Sequence, residues 1–482
     1  MSDEDCYRTA LGTGVDPSGA PWSELDPARL REQRTSLKWT RFPADVLPLF
    51  VAEMDFAVAA EIRSALIERV ELSDTGYLDN PGPLAPAFAE FARDRWGWEV
   101  PHAHVHLATD VATGVVEALR VFLAQRDRLG ASKRTTGSSP DDPDARPRLV
   151  LPTPVYPGFY EMLEELPFEI VEIPLLSSHA DADAGTSTGG GTDADADDGA
   201  HQLDLAEIRR EFASDRGVDA FLLCNPHNPH GVPFSRESLA ELARLAAEHD
   251  VFVLSDEIHA PLTWAGQTFT PFAPLAAEVG ALSATATSAS KGWNLAGAKC
   301  SVLIAADDRA NSLLQGLPPE TTTRASILGL HANVAAFRDG RDWLDRTIAQ
   351  VQANEALFAS LVADRLPGIT TTRPSAGYLA WLDLRGAGLG DDPQGRILHD
   401  ARVALNDGAH FGPGGAGHAR LNLACAPETL VEAVERIAAI LPARPEGTGP
   451  AEHAGSAQPA GPAAESTEHA AHGEHAGTEA AR

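Results

Sequence analysis

The sequence predicts an α/β protein, with a large domain built on a mostly parallel sheet between helices and a smaller α+β domain after it. Three observations carry this. Short, largely apolar runs at residues 220–224, 251–254, 283–289 and 300–305 alternate with helical segments, the pattern of parallel strands buried on both faces. A chain of 482 residues can bury such a core and still carry a second domain. Beyond about residue 310 the texture changes to long helical stretches with two further strands, which suits an α+β unit.

In chain order, residues 1–50 read as an N-terminal arm, polar and broken by Gly and Pro up to about residue 35. From Lys38-Trp39 to Val51-Ala-Glu-Met-Asp-Phe56 the chain becomes extended and apolar. Residues 60–70 form a helix with Ile62, Leu66 and Ile67 near helical spacing. Gly76-Tyr77 opens a loop through Asn80-Pro-Gly-Pro83, and a helix carrying Phe88 and Phe91 follows. Residues 104–108 form a short strand and 114–126 a helix with Val115, Ala118, Leu119 and Phe122 on its apolar side. Strand 149–151 leads into Thr153-Pro-Val-Tyr-Pro-Gly158, and residues 235–249 form an amphipathic helix with Leu239, Leu242, Ala243 and Leu245 inward. The large domain therefore spans 51–310 and the small one 311–443, the latter with a helix at 344–366, strands at 378–384 and 420–425, and a helix at 428–440. Polar insertions near 130–148 and 177–201, and an Ala/Gly/Pro/Glu/His tail at 444–482, have compositions that cannot bury enough apolar surface to order themselves.

The formal net charge of −31 argues against nucleic-acid partners and anionic membrane surfaces, while leaving room for a local cationic pocket. No apolar run approaches the roughly 20 residues that span a bilayer, and the acidic start Met1-Ser-Asp-Glu-Asp lacks the order of a signal peptide. The cysteines, Cys6, Cys224, Cys300 and Cys425, lie far apart with no CxxC pair, which predicts a reducing, cytoplasmic compartment.

The chemistry gathers around Lys291. Of 38 Lys and Arg residues only four are lysines (Lys38, Lys133, Lys291 and Lys299), and two of them share the stretch Ser288-Ala-Ser-Lys-Gly-Trp-Asn-Leu-Ala-Gly-Ala-Lys299. A guanidinium does not deprotonate in proteins, so lysine is required where a neutral amine must form an imine with a carbonyl compound. Ligands of open parallel sheets bind outside the carboxyl ends of the strands. Three such ends here carry Asn228 (in Asn225-Pro-His-Asn-Pro-His-Gly231), Asp256 and His259 (in Ser255-Asp-Glu-Ile-His-Ala-Pro-Leu262), and Ser288 with Lys291. An amine, a carboxylate and an amide on one sheet edge are the types a pyridoxal phosphate site needs: an imine partner, an acid for the pyridine nitrogen and a donor for the phenolic oxygen. The turn Ala112-Thr-Gly114 before the helix at Val115 offers backbone N–H groups to a phosphate, with Gly114 allowing close approach and Ser288 and Lys299 as further donors. Each residue alone also has a plain reading: an Asp closing a turn, a packed tyrosine, a core histidine, a surface lysine. Their joint order carries the inference.

These stretches, with Lys38-Trp39, Val51–Phe56 and Thr75-Gly-Tyr77, resemble the fold type I pyridoxal-phosphate enzymes of the class I/II aminotransferase superfamily, and within it the MalY/PatB group of cystathionine β-lyases. The resemblance runs from about residue 35 to 443. It implies a large domain with a mostly parallel seven-stranded sheet, a pyridoxal 5'-phosphate cofactor and a homodimer with shared active sites. By position it implies that Lys291 holds the cofactor covalently, Asp256 pairs with the pyridine nitrogen, Asn228 bonds the phenolic oxygen and Tyr156 stacks on the ring. It also implies that Tyr77 reaches the neighbouring subunit's phosphate and that Arg420 takes the substrate α-carboxylate. Glu53 stands where the group usually has Asp. His259 stands where aminotransferases commonly have Tyr, which favours β-elimination from cystathionine or related cysteine S-conjugates. The rivals are an aminotransferase, which shares the early steps, and a regulatory protein that keeps the fold.

Overall fold

The large sheet forms where the apolar runs are. The computed structural model describes residues 26–126, 146–177 and 201–442. Its central sheet has seven strands: β1 (Val105–Ala108), β2 (Arg148–Thr153), β3 (Glu169–Pro174), β4 (Ala220–Cys224), β5 (Phe252–Asp256), β6 (Ser283–Thr287) and β7 (Ser301–Ala305), in the order β1-β7-β6-β5-β4-β2-β3. Both faces are covered, so residues alternate between two cores rather than between core and water. Along β4, Ala220 and Leu222 join the core containing Val115 and Phe122, while Phe221 and Leu223 join the one containing Leu239 and Leu242. Phe122 stacks on Phe252 with ring centroids 4.8 Å apart.

Two features depart from the expectation. Strand β7 runs antiparallel to both its neighbours, β6 and β1. The chain returns from β6 through a loop without a crossover helix, and a parallel pairing needs such a crossover. The edge strand β3 is missing from the sequence reading, because its Glu169 and Glu172 mask it. Glu169 instead meets Arg216 with an Nη2–Oε2 distance of 2.6 Å.

The flanking helices are α1 (Ala60–Glu71), α2 (Leu84–Trp96), α3 (Val111–Gln125), α4 (Gly158–Leu163), α5 (Arg236–Glu248) and α6 (Phe272–Val279). After α7 (Ile327–Arg338) and the 25-residue α8 (Arg341–Arg365), a second sheet appears, antiparallel, with strands β8 (Thr370–Thr372), β9 (Leu379–Asp383), β10 (Asn406–Asp407) and β11 (His418–Asn422) in the order β10-β11-β9-β8. Helix α9 (Pro427–Ala438) packs on α8. The N-terminal segment, expected to be extended, contains a helical turn at Leu37–Thr40 and pairs Leu47–Pro48 in parallel with Val403–Ala404. Most of both insertions (127–145 and 178–200), residues 1–25 and the tail from 443 lie outside the described residues. Among those described, no helix is long and apolar enough to cross a membrane, and no group of three His, Cys, Asp or Glu residues is arranged to hold a metal ion.

Candidate active site

Strand register places the chemistry. In the sheet, Cys224 pairs with Asp256 and Asp256 with Ala286, so β4, β5 and β6 end side by side. Just past those ends a cavity of ≈ 180 Å³ is lined by Ala52, Asp110, Val111, Ala112, Tyr156, Met162, Asn228, Asp256, His259, Ser288, Ser290, Lys291 and Lys299, among others. A water occupies roughly 30 Å³, so the space suits an organic molecule rather than a single ion.

Lys291 donates from Nζ to the Ala52 carbonyl at 2.9 Å. Burial, then the Arg420 charge, lowers its pKa to about 8. A sizeable fraction of neutral amine near physiological pH follows, which imine formation requires. Asp256 accepts the Ile258 N–H at 3.0 Å, and burial raises its pKa to about 7. A cation bound beside it would restore the ionised form. His259 is pushed down to about 3 by burial and the neighbouring Lys291 and Arg420, so it stays neutral.

Arg420, on β11, is 2 % exposed. Its Nη1 donates to Asn228 Oδ1 at 2.8 Å, and its guanidinium lies 5.1 Å from the Phe411 ring centroid. Among the described residues no carboxylate pairs with it, and its Nε has no partner. A buried cation left without an anion is costly and marks a place for a ligand carboxylate. Because Asn228 offers its oxygen to Arg420, its amide NH₂ remains to donate elsewhere.

Of the residues expected at the phosphate end, Ala112 lines the cavity, whereas Gly114 and Val115 do not. Helix α3 begins at Val111, with Asp110 as cap, its side chain accepting the Thr113 N–H at 2.8 Å. The Gly114 N–H is spent on the Asp110 carbonyl at 2.9 Å, and Val115 is fully buried in the core. Gly114 and Val115 therefore lie inside the helix, and the N–H groups that the helix leaves over at the cavity are those of Val111 and Ala112. The start was misplaced because Asp110, the capping residue, gives the real signal.

Lys299 (φ +51°) reaches the cavity with its Nζ 2.8 Å from Asp110 Oδ2. Ser288 Oγ donates to the Cys300 carbonyl at 2.7 Å and accepts the Ser290 N–H at 3.1 Å. Ser290 also lines the cavity; it was missed, although it sits next to Lys291 in the same motif. Tyr156 also lines the cavity, edge-on to Phe159. Tyr77 is not at this cavity; it is 92 % exposed on the loop before α2. Two further groups had no sequence signal, the Ala52 carbonyl and the buried Tyr378 hydroxyl that donates to it at 3.0 Å. The amine, the carboxyl group, the free amide donors, the helix-start N–H groups and the unpaired arginine together fit pyridoxal phosphate with an amino-acid carboxylate beside it.

A family model described as aminotransferase class I and II matches residues 144–437. The chain belongs to that family. Within it, a Mycobacterium leprae protein provisionally called a cystathionine β-lyase is 36 % identical over 84 % of this chain and 94 % of its own. Cystathionine β-lyase PatB of Bacillus subtilis is 32 % identical over 85 % of this chain and 98 % of its own. A solved structure from Corynebacterium diphtheriae, described provisionally as a PLP-dependent β-cystathionase, is 33 % identical, with a TM-score of 0.72 and coverage of 87 % of this chain and 98 % of that one.

Proposed function

We propose that this protein is a pyridoxal-phosphate-dependent carbon–sulfur β-lyase that cleaves cystathionine or related cysteine S-conjugates to a thiol, pyruvate and ammonia. One observation carries it: Lys291 and Asp256 line one cavity at the ends of β5 and β6, and the buried Arg420 on β11 bonds Asn228 in its wall, in a chain similar over most of its length to proteins called cystathionine β-lyases.

Bound pyridoxal phosphate supplies a carbonyl for the imine and a conjugated ring that takes up the electron pair left at Cα. The rest falls to the chain. Lys291 holds the cofactor and, displaced by the substrate amine, accepts the Cα proton at Nζ, a task suited to an amine whose pKa burial has lowered to about 8. Asp256 holds a proton at the pyridine nitrogen, and the Asn228 NH₂ donates to the phenolic oxygen. Arg420 takes the α-carboxylate through its planar donor pair and thereby orients the Cα–H bond. Tyr156 covers the ring, and His259, neutral, adds no charge beside it. Ser290, Lys299 and the Val111 and Ala112 N–H groups receive the phosphate, while Ser288, whose hydroxyl proton goes to the Cys300 carbonyl, braces the Ser290 N–H. Tyr77, exposed in one subunit, would reach the phosphate of a second in a homodimer with shared sites. Residues 51–310 would then form the cofactor-carrying domain and 311–443 the smaller one, in a cytoplasmic enzyme.

The test is to incubate the protein with cystathionine and measure thiol and pyruvate, with and without a 2-oxo acid. Both products should appear without the oxo acid. Turnover that requires the oxo acid would identify an aminotransferase instead.

A further inference from the structure

We infer that Tyr378 is a positioning residue for the Lys291 amine, acting through the carbonyl of Ala52. This rests on Lys291 being the lysine that holds the cofactor. The Ala52 oxygen accepts two hydrogen bonds, from Lys291 Nζ at 2.9 Å and from the Tyr378 hydroxyl at 3.0 Å. A carbonyl oxygen has two lone pairs, so the tyrosine occupies one and confines the amine to the other. With one N–H directed there, the lone pair of the neutral amine is turned away from Ala52.

The tyrosine and the carbonyl are both held in place. Tyr378 is 1 % exposed, and burial pushes its hydroxyl well above the usual phenol range, so it remains a proton donor. It follows Gly377, whose φ of +77° lets the chain turn, and the Gly377 N–H and C=O are bonded to the Leu262 carbonyl and Trp264 Nε1 at 3.0 and 2.9 Å. The His259 ring meets Tyr378 edge-on, with centroids 6.3 Å apart. Ala52 sits in a strap, residues 51–56, whose carbonyls are tied by side chains from elsewhere. Asn422 donates to the carbonyls of Val51 and Glu53, Lys38 to that of Glu53, and Asn294 to those of Met54 and Phe56. The carbonyl cannot swing to suit the lysine; the lysine must come to it.

An ammonium donates to a carbonyl more strongly than a neutral amine does. By taking half of the acceptor, Tyr378 disfavours the charged lysine as well as aiming the neutral one. Tyr378→Phe removes only the hydroxyl. The apo-protein is mixed with pyridoxal phosphate across pH, reduced with borohydride, and the mass gained at Lys291 is measured. The wild type should capture the cofactor with a midpoint that the variant shifts to higher pH. On cystathionine the variant's kcat should fall about three- to tenfold, the range expected for one neutral hydrogen bond, with KM little changed and the urea midpoint within error. If the wild type takes no label at Lys291, the premise fails. If it does and the variant has the same midpoint and kcat, the assignment of Tyr378 fails alone. A fall in kcat with an unmoved capture midpoint, or one matched by lost stability, makes Tyr378 a packing residue and also overturns it.

Discussion

Replacing Arg420 with lysine keeps a positive charge beside Asn228 of the cavity wall but removes the planar donor pair that meets a carboxylate edge-on. Each hydrogen bond to a charged group contributes about 1.5–3 kcal/mol, and about 1.36 kcal/mol corresponds to a tenfold change in rate. Losing one of two such bonds should lower kcat/KM on cystathionine about 10- to 150-fold, and Arg420→Met, which loses both, about 10²- to 10⁴-fold. Stability should respond differently. Burial lowers the pKa of this guanidinium to about 10, and among the described residues no carboxylate compensates it. Methionine should therefore leave the urea midpoint of the unliganded protein unchanged or higher, a case of activity held against stability. The assay is thiol release, followed continuously with a chromogenic disulfide, beside equilibrium unfolding of the same preparations. A lysine variant within threefold of the wild type would refute the carboxylate role. A methionine variant less stable by about 2 kcal/mol or more, the scale of a lost buried interaction, would refute the claim that this cation is strained without its ligand.

Lys291→Ala should abolish covalent capture, seen as no mass increase after borohydride reduction with pyridoxal phosphate. For the apo-protein, the Lys291 pKa of about 8 lies below its ordinary 10.5, so between these values the unfolded chain binds more protons at this site. Stability conferred through this group therefore rises with pH across that window, by on the order of a few kcal/mol. The difference between wild-type and Lys291→Met unfolding curves at pH 8 and pH 10.5 should show it, and parallel pH dependences would contradict it. Lys38, fully buried, contacts Asp55 at 2.5 Å. Lys38→Met strands a buried carboxyl group, and unfolding measured in urea should become easier by about 3–5 kcal/mol. Asp256→Asn should still take cofactor at Lys291 but lose at least about 100-fold in kcat, the scale of a positioned acid–base group, measured as pyruvate formation.

What could be read in advance was whatever leaves a pattern in residue types. The apolar runs at 220–224, 251–254 and 283–289 became strands β4 to β6, and their register brought Asp256 and Lys291 to one cavity. Arg420 was legible only through resemblance, because nothing local in β11 marks it. The helix start was placed too late, since Gly114 drew attention from Asp110, whose side chain closes the first turn. Backbone groups leave no trace in sequence: the Ala52 carbonyl, accepting from two side chains, could not be foreseen. Strand β3 hid behind its charges, and the reversed sense of β7 follows from the loop that precedes it rather than from its own residues.

The pairing of Lys291 and Tyr378 at Ala52 also bears on when the protein becomes competent. The two contacts join positions 239 and 326 residues apart in the chain. A nascent chain that has already emerged past β6 owns its lysine and its aspartate, yet has neither Tyr378 nor Arg420. Contacts of that sequence separation raise the contact order and slow folding, and the amine is aimed only once both have closed. Until then the lysine of a half-made enzyme lacks the setting that makes it reactive toward aldehydes. The long-range carbonyl clasp thus ties the aiming of the amine to segments from both halves of the chain.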